Sequence, residues 1–434
     1  RRTTDKEWTP RETHLLENVR GFEPPTVLPT RDVFGGLADT KFDATGFFHV
    51  KKIGDRFWFI DPAGHLWYCV GCCSVGDNPT ANGQKALKDK FGDYAGFSKY
   101  SFNVLRDAGF NGLGCWSEYD KLNASGDRMP YTTQLNLLSK FGYYAKVAHQ
   151  ASGHTGFEGN LMPVFHPEFA EFCEKQAKEQ IGNLKDDPYL FGHFSDNELP
   201  FSVNSLDGYL KLPETDPGYQ AAKRWVEENN VERGAKGFST EDKKAFLAYV
   251  ADTYFKTVST AIRKADPNHL YLGARLHGSV NRTEEVVRAC GKYADVVSIN
   301  WYGVWTPDDA TMEQWTEWTG RPFIITEWYA KGMDSGMENI TGAGWTVKTQ
   351  ADRGAFYQNF TMRLLEYPGC AGWHWFKYLD NDPTNTKTDP SNLNSNKGML
   401  TNTYEPYDDM IDRMREVNAN VYPLIGHFDK QSGK

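Results

Sequence analysis

The sequence predicts an α/β fold: a (β/α)8 TIM barrel with an N-terminal extended segment and long βα loops. Short apolar runs rich in β-branched and aromatic residues alternate with helical patterns without a break from Tyr68 to Val417. Eight such strand runs can be marked off, and strand-helix alternation of this kind builds a parallel sheet. At 434 residues, the chain is long enough for one large barrel with insertions.

Residues 1–45 lack periodicity, carry Pro24-Pro25 and Gly35-Gly36, and are expected to lie as an extended segment on a catalytic domain spanning 46–434. Arg56 to Tyr68 reads as a hairpin around an Asp61-Pro62-Ala63-Gly64 turn. Its second arm runs on into the first barrel strand, Tyr68–Val75. A helix over Tyr100–Ala108 leads to the second strand, Gly109–Trp116, and Met129–Leu135 is a weak third. Pro167–Asn183 is amphipathic, with Phe169, Phe172, Cys173 and Ala177 on one face. The fourth strand is Pro188–Asn197. A long helix follows over Thr240–Ala265, with Ser239 or Thr240 as its N-cap. The fifth strand is His269–His277, the sixth Asp295–Tyr302, the seventh Pro322–Glu327 and the eighth Gly369–Phe376. Helices over Thr283–Tyr293, Asp308–Thr319 and Gln350–Glu366 separate them, and Asp408–Val417 closes the barrel. Three stretches exceed ordinary loops: 199–239, 328–349 and 377–404. Loops after strands build the catalytic face of a barrel, so these are expected to wall a cleft. The polar stretch Asp380–Lys397 is a candidate for ligand-dependent ordering.

Aromatics make up 14 % of the chain, with 13 Trp, 22 Tyr and 27 Phe. Sugar rings stack their C–H faces on such side chains, so the composition leans toward carbohydrate, though a large aromatic core explains it equally well. The net charge is −9, without a long basic run, which argues against nucleic acid or an anionic membrane as partner. No transmembrane run is present. The seven cysteines are odd in number, so at least one thiol is free. Cys69, Cys72, Cys73 and Cys115 sit in apolar runs and are expected to be buried thiols. The Cys69–Cys72 spacing has no second Cys or His pair at zinc spacing, and no metal or cofactor is expected. Asn-x-Ser/Thr triplets at Asn123, Asn281, Asn339 and Asn359 say little about location.

The chemistry is carried by two glutamates at strand ends, Glu198 after the fourth strand and Glu327 at the end of the seventh. A carboxylate at an apolar strand end costs desolvation, so a pair of them points to function. Two carboxyls across a cleft are what glycosidic bond hydrolysis requires: one protonated to serve the leaving oxygen, one ionised to attack the anomeric carbon. Asn197 beside Glu198 supplies an amide for a sugar 2-hydroxyl, or is a turn residue. Tyr302 at the end of the sixth strand is placed to hold a carboxylate on the seventh, or is a core tyrosine. Trp116, Trp328, Trp373 and Trp375 are candidate sugar platforms, each with packing as the equal alternative. Strand alternation puts Trp373 and Trp375 on one side and His374 on the other. Arg275, His277 and Lys377 are candidate substrate contacts. His193 and His277 lack partners at metal-ligand spacing and read better as hydrogen-bonded histidines.

The order Asn197-Glu198 after the fourth strand and Glu327 on the seventh resembles the large retaining clan of barrel glycosidases. Within it the chain is most similar to glycoside hydrolase family 50, the β-agarases. The likeness is carried by Gly192-His-Phe-Ser-Asp-Asn-Glu198, by Thr326-Glu-Trp-Tyr-Ala-Lys-Gly-Met-Asp-Ser-Gly336 and by Gln350-Ala-Asp-Arg353. It extends over roughly residues 45–425. The resemblance implies that Glu198 is the general acid/base and Glu327 the nucleophile. It implies agarose or its oligosaccharides as substrate, cleaved with retention at β-1,4-galactosidic links by an enzyme secreted or held in the periplasm. Alternatives are a clan-related β-galactosidase, mannanase or glucanase, or a carbohydrate-binding barrel without catalysis. Two departures stand out. Many clan members carry an arginine at the end of the second strand, where this chain has Gly114-Cys115-Trp116, and Arg275 is the candidate substitute. Many family members also carry an N-terminal β-sandwich domain, for which this chain is too short.

Overall fold

The computed structural model describes residues 1–387 and 392–433. A nine-stranded parallel sheet, curled and flanked by helices, organises the chain. Its strands are β1 (Cys69–Cys72), β2 (Gly112–Leu113), β3 (Tyr131–Gln134), β4 (Leu190–Phe194), β5 (Leu270–Tyr271), β6 (Leu276–His277), β7 (Val297–Asn300), β8 (Phe323–Glu327) and β9 (Cys370–Trp375). The order across the sheet is β5-β4-β3-β2-β1-β9-β8-β7-β6. The two terminal strands are therefore consecutive in sequence, and both come from the single run expected over His269–His277. Gly273 (φ 82°) and Arg275 (φ 52°) break that run, both in the left-handed region. On either side of the break, Gly273 O accepts from Ser195 N (3.0 Å) and Arg275 O from Glu198 N (3.3 Å).

Helices cover the sheet where apolar faces were legible. Phe169–Ile181 buries Phe169, Cys173, Ala177 and Ile181. Thr240–Ala265 starts on a Ser239 cap whose side chain accepts from Asp242 N. Gln350–Glu366 opens with a full capping box between Thr349 and Asp352. The helix expected from Tyr100 starts earlier, at Tyr94, capped by Asp93. The long stretches are partly regular. Residues 199–239 contain helices Ser205–Tyr209 and Pro217–Glu228, the latter with proline in its first turn, where a missing N–H costs nothing. Residues 328–349 contain the paired strands Ala330–Gly332 and Trp345–Val347. Part of the Asp380–Lys397 stretch lies outside the described residues. All seven cysteines are buried free thiols. Among the described residues no helix is long and apolar enough to cross a membrane.

The first residues tie to a loop at the rim of the sheet. Thr3 Oγ1 donates to Gly342 O (2.8 Å) and accepts from Lys331 Nζ (2.7 Å), which also donates to Thr341 O (2.5 Å). Lys331 is wholly buried, and burial, reinforced by the charge of Lys397, pushes its pKa down to about 7. Arg1 O accepts from Thr346 N (2.8 Å), extending the tie. Further along, Asp32 meets the hairpin turn. His65 Nδ1 lies 2.8 Å from Asp32 Oδ2, and the buried Asp61 carboxyl faces the same group. Burial, then the Asp32 carboxylate, pushes the Asp61 carboxyl up to about 7, so Asp61 holds the proton while Asp32 stays ionised.

Candidate active site

Glu198 and Glu327 open into one cleft of about 990 Å³. β8 delivers Glu327 at its last residue, and β4 ends four residues before Glu198. Glu198 itself has φ 53°, in the left-handed region that a non-glycine residue rarely adopts. Both carboxylates are nearly buried, with side chains 10 % and 12 % exposed.

A single amide joins them. Asn300 Nδ2, at the end of β7, lies 2.9 Å from Glu198 Oε1 and 3.2 Å from Glu327 Oε2. Asn300 Oδ1 accepts from Thr326 Oγ1 (2.8 Å), which fixes the amide's orientation. Glu327 has two further partners. Tyr302 donates its hydroxyl to Oε1 (2.6 Å), and Arg275 Nη2 stands 2.9 Å from Oε2. Burial raises the Glu327 pKa. Arg275 pulls it back, the like charge of Glu198 raises it, and the Tyr302 hydrogen bond lowers it. Tyr302 is itself held in its neutral, donating form, first by burial and then by the Glu327 charge.

Arg275 is wholly buried. Nη1 donates to Asn197 Oδ1 (2.7 Å), Nη2 donates to Thr326 O (2.8 Å), and the Trp116 ring lies 4.4 Å from its guanidinium carbon. Asn197 Oδ1 also receives Asn300 Nδ2 at 3.2 Å. With its oxygen used twice inside the protein, Asn197 keeps its amide N–H groups for other partners.

Of the residues expected from sequence, Glu198, Glu327, Trp116, His277, Tyr302 and Lys377 line the cleft. Asn197 and Arg275 lie directly behind it. Trp328, Trp373 and Trp375 do not belong to the lining, and the expectation of sugar platforms at these positions is corrected. They are at most 1 % exposed and pack against the helix Gln350–Glu366. Trp328 stacks on Phe360 at 4.2 Å, Trp375 meets Trp328 edge-on at 5.1 Å, and Trp373 Nε1 donates to Tyr357 OH (2.8 Å). The alternation of β9 turns Trp373 and Trp375 outward toward the helix, while His374 points the other way, 3.2 Å from Cys69 Sγ. His193 is likewise internal, bonded to Thr133 Oγ1 (2.6 Å) and to Asp266 Oδ2 (2.8 Å), which His269 also engages (2.7 Å). His193, Asp266 and His269 are close enough to hold a metal ion, yet each ring nitrogen already has a protein partner.

Asn300 and His154 were missed. Asn300 was within reach of sequence reasoning, since it shares the strand face of Tyr302 two residues on. His154 lies in a loop segment with no periodic signal. Its Nδ1 is 3.6 Å from Glu198 Oε2.

No protein-family model matches the chain. It is similar to β-agarase A of Vibrio sp. (strain JT0107), 30% identical across 91% of this chain and 48% of that protein. β-Agarase B of the same organism is 27% identical across 92% of this chain and 50% of that protein. The chain thus spans about half the length of the curated relatives it matches. An exo-β-agarase structure at 24% identity shares the fold, with a TM-score of 0.76 over 92% of this chain and 68% of that one. The crystal structure of BpGH50 superposes with a TM-score of 0.86 at 30% identity, covering 98% of this chain and 94% of that one. On that likeness across nearly the whole of both chains, the chain belongs to glycoside hydrolase family 50.

Proposed function

We propose that the chain is a retaining β-agarase, cleaving β-1,4-galactosidic links of agarose or agaro-oligosaccharides by double displacement. The observation that carries the mechanism is the Asn300 bridge. Two oxygens bonded at 2.9 and 3.2 Å to one nitrogen cannot lie further apart than those two bonds laid end to end. That limit on the two facing oxygens supports the ~5–5.5 Å spacing of retaining pairs over the roughly 6.5–9.5 Å that inverting enzymes need to admit a water. The names of the Vibrio relatives support the galactan substrate.

In this reading Glu327 attacks the anomeric carbon while Glu198 gives its proton to the departing glycosidic oxygen. A covalent glycosyl-enzyme forms. Water then attacks that intermediate, losing its proton to Glu198, and the Glu327 ester bond breaks. Tyr302, Arg275 and Asn300 supply three donors that favour ionised Glu327 against the cost of its burial. Asn197, its oxygen tied to Arg275, directs its amide N–H to the sugar 2-hydroxyl. The two carboxyls suffice for the proton and bond bookkeeping, so the mechanism calls on no cofactor. We further read β5 and β6 as one interrupted strand, which makes the sheet a closed (β/α)8 barrel over residues 46–434 with 1–45 lying on it. A polymeric substrate fits an enzyme secreted or placed in the periplasm.

The test is incubation with agarose and neoagaro-oligosaccharides beside mannan, β-glucan and other galactans, with products read by mass spectrometry and anomeric configuration by NMR. Cleavage of agarose with retained configuration, lost in Glu327→Ala, is expected. Inverted products overturn the mechanism, and cleavage of another glycan alone overturns the substrate.

A further inference from the structure

We infer that His154 is the binding residue for the sugar on the leaving-group side of the cleft, and that it steadies the proton-donating oxygen of Glu198. The inference rests on the reading of Glu198 as proton donor. It starts from the order of groups along the cleft. Glu198 presents Oε1 to Asn300, which in turn faces Glu327. Its other oxygen, Oε2, faces His154 Nδ1 at 3.6 Å. Glu327, Glu198 and His154 therefore stand in sequence. Since Oε1 is engaged as an acceptor, Oε2 is the oxygen left to carry the proton. Whatever lies beyond Oε2 lies beside the departing sugar.

His154 is built into this position. It closes the turn of a hairpin formed by Ala148–Gln150 and Thr155–Phe157. Its backbone oxygen accepts from Ala151 N (2.9 Å) and from Gln150 Nε2 (3.3 Å), so the turn is pinned from two sides. Nδ1 is buried and has no hydrogen-bond partner, a state that ordinarily calls for an explanation. The side chain keeps 27% of its surface exposed, and it lines the cleft together with Gln150, Ser152 and Gly153. One edge of the ring thus addresses Glu198, and the rest is presented to whatever fills the cleft. Of the charged and titratable groups in the cleft, Glu198 is the one His154 meets directly; Arg275, Tyr302 and Lys397 act on Glu327, and Asp77, Glu118 and Lys121 line the same cleft. Imidazole is suited to a sugar hydroxyl because it accepts at one nitrogen and donates at the other. The ligand class is a neutral sugar hydroxyl on the leaving side of the bond.

The test compares two substrates that fill the same glycone side. Neoagarotetraose leaves a sugar behind, and the 2,4-dinitrophenyl glycoside of neoagarobiose leaves only an aryl group. His154→Ala is expected to lower kcat/KM for the tetraose at least tenfold, about the worth of one hydrogen bond, and to change that for the aryl glycoside less than about twofold. In the Glu327→Ala background, the same change should weaken tetraose binding about tenfold by calorimetry and leave neoagarobiose binding unchanged. His154→Gln, whose amide nitrogen takes the place of Nε2 on the cleft side of the ring, should recover part of the loss. Equal losses on both substrates, or none on the tetraose, overturn the inference. Turnover by Glu327→Ala itself overturns the underlying reading instead, and the inference with it.

Discussion

Arg275 Nη2 stands 2.9 Å from Glu327 Oε2, although Arg275 precedes β6 and Glu327 ends β8, which are not neighbours in the sheet. β7 lies between them. Arg275 reaches across because it sits in the break between β5 and β6 with φ 52°, its side chain wholly inside. It is the sole arginine of the expected fifth strand, and it stands beside Glu327. Arg275→Met should raise the Glu327 pKa further, because the guanidinium opposes the burial that already raises it. Activity that needs ionised Glu327 then sets in later, so the acid limb of kcat/KM moves to higher pH. Breaking a buried pair of this kind also costs about 3–5 kcal/mol of stability. An acid limb that stays in place contradicts the assignment.

Tyr302→Phe removes the 2.6 Å hydrogen bond to Glu327 Oε1 and little else. A bond to a charged group is worth about 1.5–3 kcal/mol, or roughly 10- to 100-fold in kcat. The acid limb should move in the same direction as for Arg275→Met. Steady-state kinetics across pH reads both effects.

Asn300→Asp replaces the shared donor by a third carboxylate between two others. Like charges then oppose ionisation of Glu327, and the loss in kcat should reach about 10²-fold or more, the usual cost of removing a preorganised donor. Asn300→Ala should lose less at its pH optimum, since it adds no charge. A variant Asn300→Asp as active as Asn300→Ala would show that the amide is not shared as described.

Trp375→Ala addresses the core. The side chain is wholly buried against Trp328 and Tyr357. Its removal should cost about 3–5 kcal/mol in denaturant unfolding, while KM of the folded enzyme stays within about twofold. A large KM change with unchanged stability would return Trp375 to the cleft.

Asp61→Asn tests the proton held with Asp32. A carboxyl raised to about 7 in the folded protein, against roughly 3.9 when unfolded, binds a proton more tightly when folded. Its contribution to stability is whole below about pH 4 and is lost as pH rises through about 7. Asparagine keeps the oxygen that accepts from Ala63 N and His65 N, and offers an amide N–H where the proton was. The variant should therefore lack this decline between pH 4 and 7 and be the more stable form at pH 8. Parallel melting curves of the two proteins across that window would contradict it.

Strand order and helix faces were legible because apolar periodicity follows from burial, and burial is local in sequence. The two glutamates were legible for the converse reason, since a carboxylate on an apolar run has no packing explanation. The tryptophans were not. A tryptophan at a strand end satisfies a core and a sugar platform equally, and only the position of the Gln350–Glu366 helix decides for Trp373 and Trp375. The break at Gly273–Arg275 was hidden too, because Gly273, Ala274 and Leu276 continue the apolar run of the strand while the backbone leaves it. His154 had no signal at all, as its role depends on a turn held by backbone bonds.

The tie between Thr3, Lys331 and the 341–346 loop has a consequence for motion. Lys331 spends its donors on the hydroxyl of Thr3 and the carbonyl of Thr341, so neither chain can leave without stranding a buried amine. Gly342 and Ala343 form part of the cleft wall. That stretch of wall and the first residues of the chain should thus open as one cooperative unit rather than fray separately. In hydrogen exchange, the amide of Thr346 should open in step with its tether, and shortening the chain before Thr3 should loosen a surface that is far away in sequence but shared with the substrate.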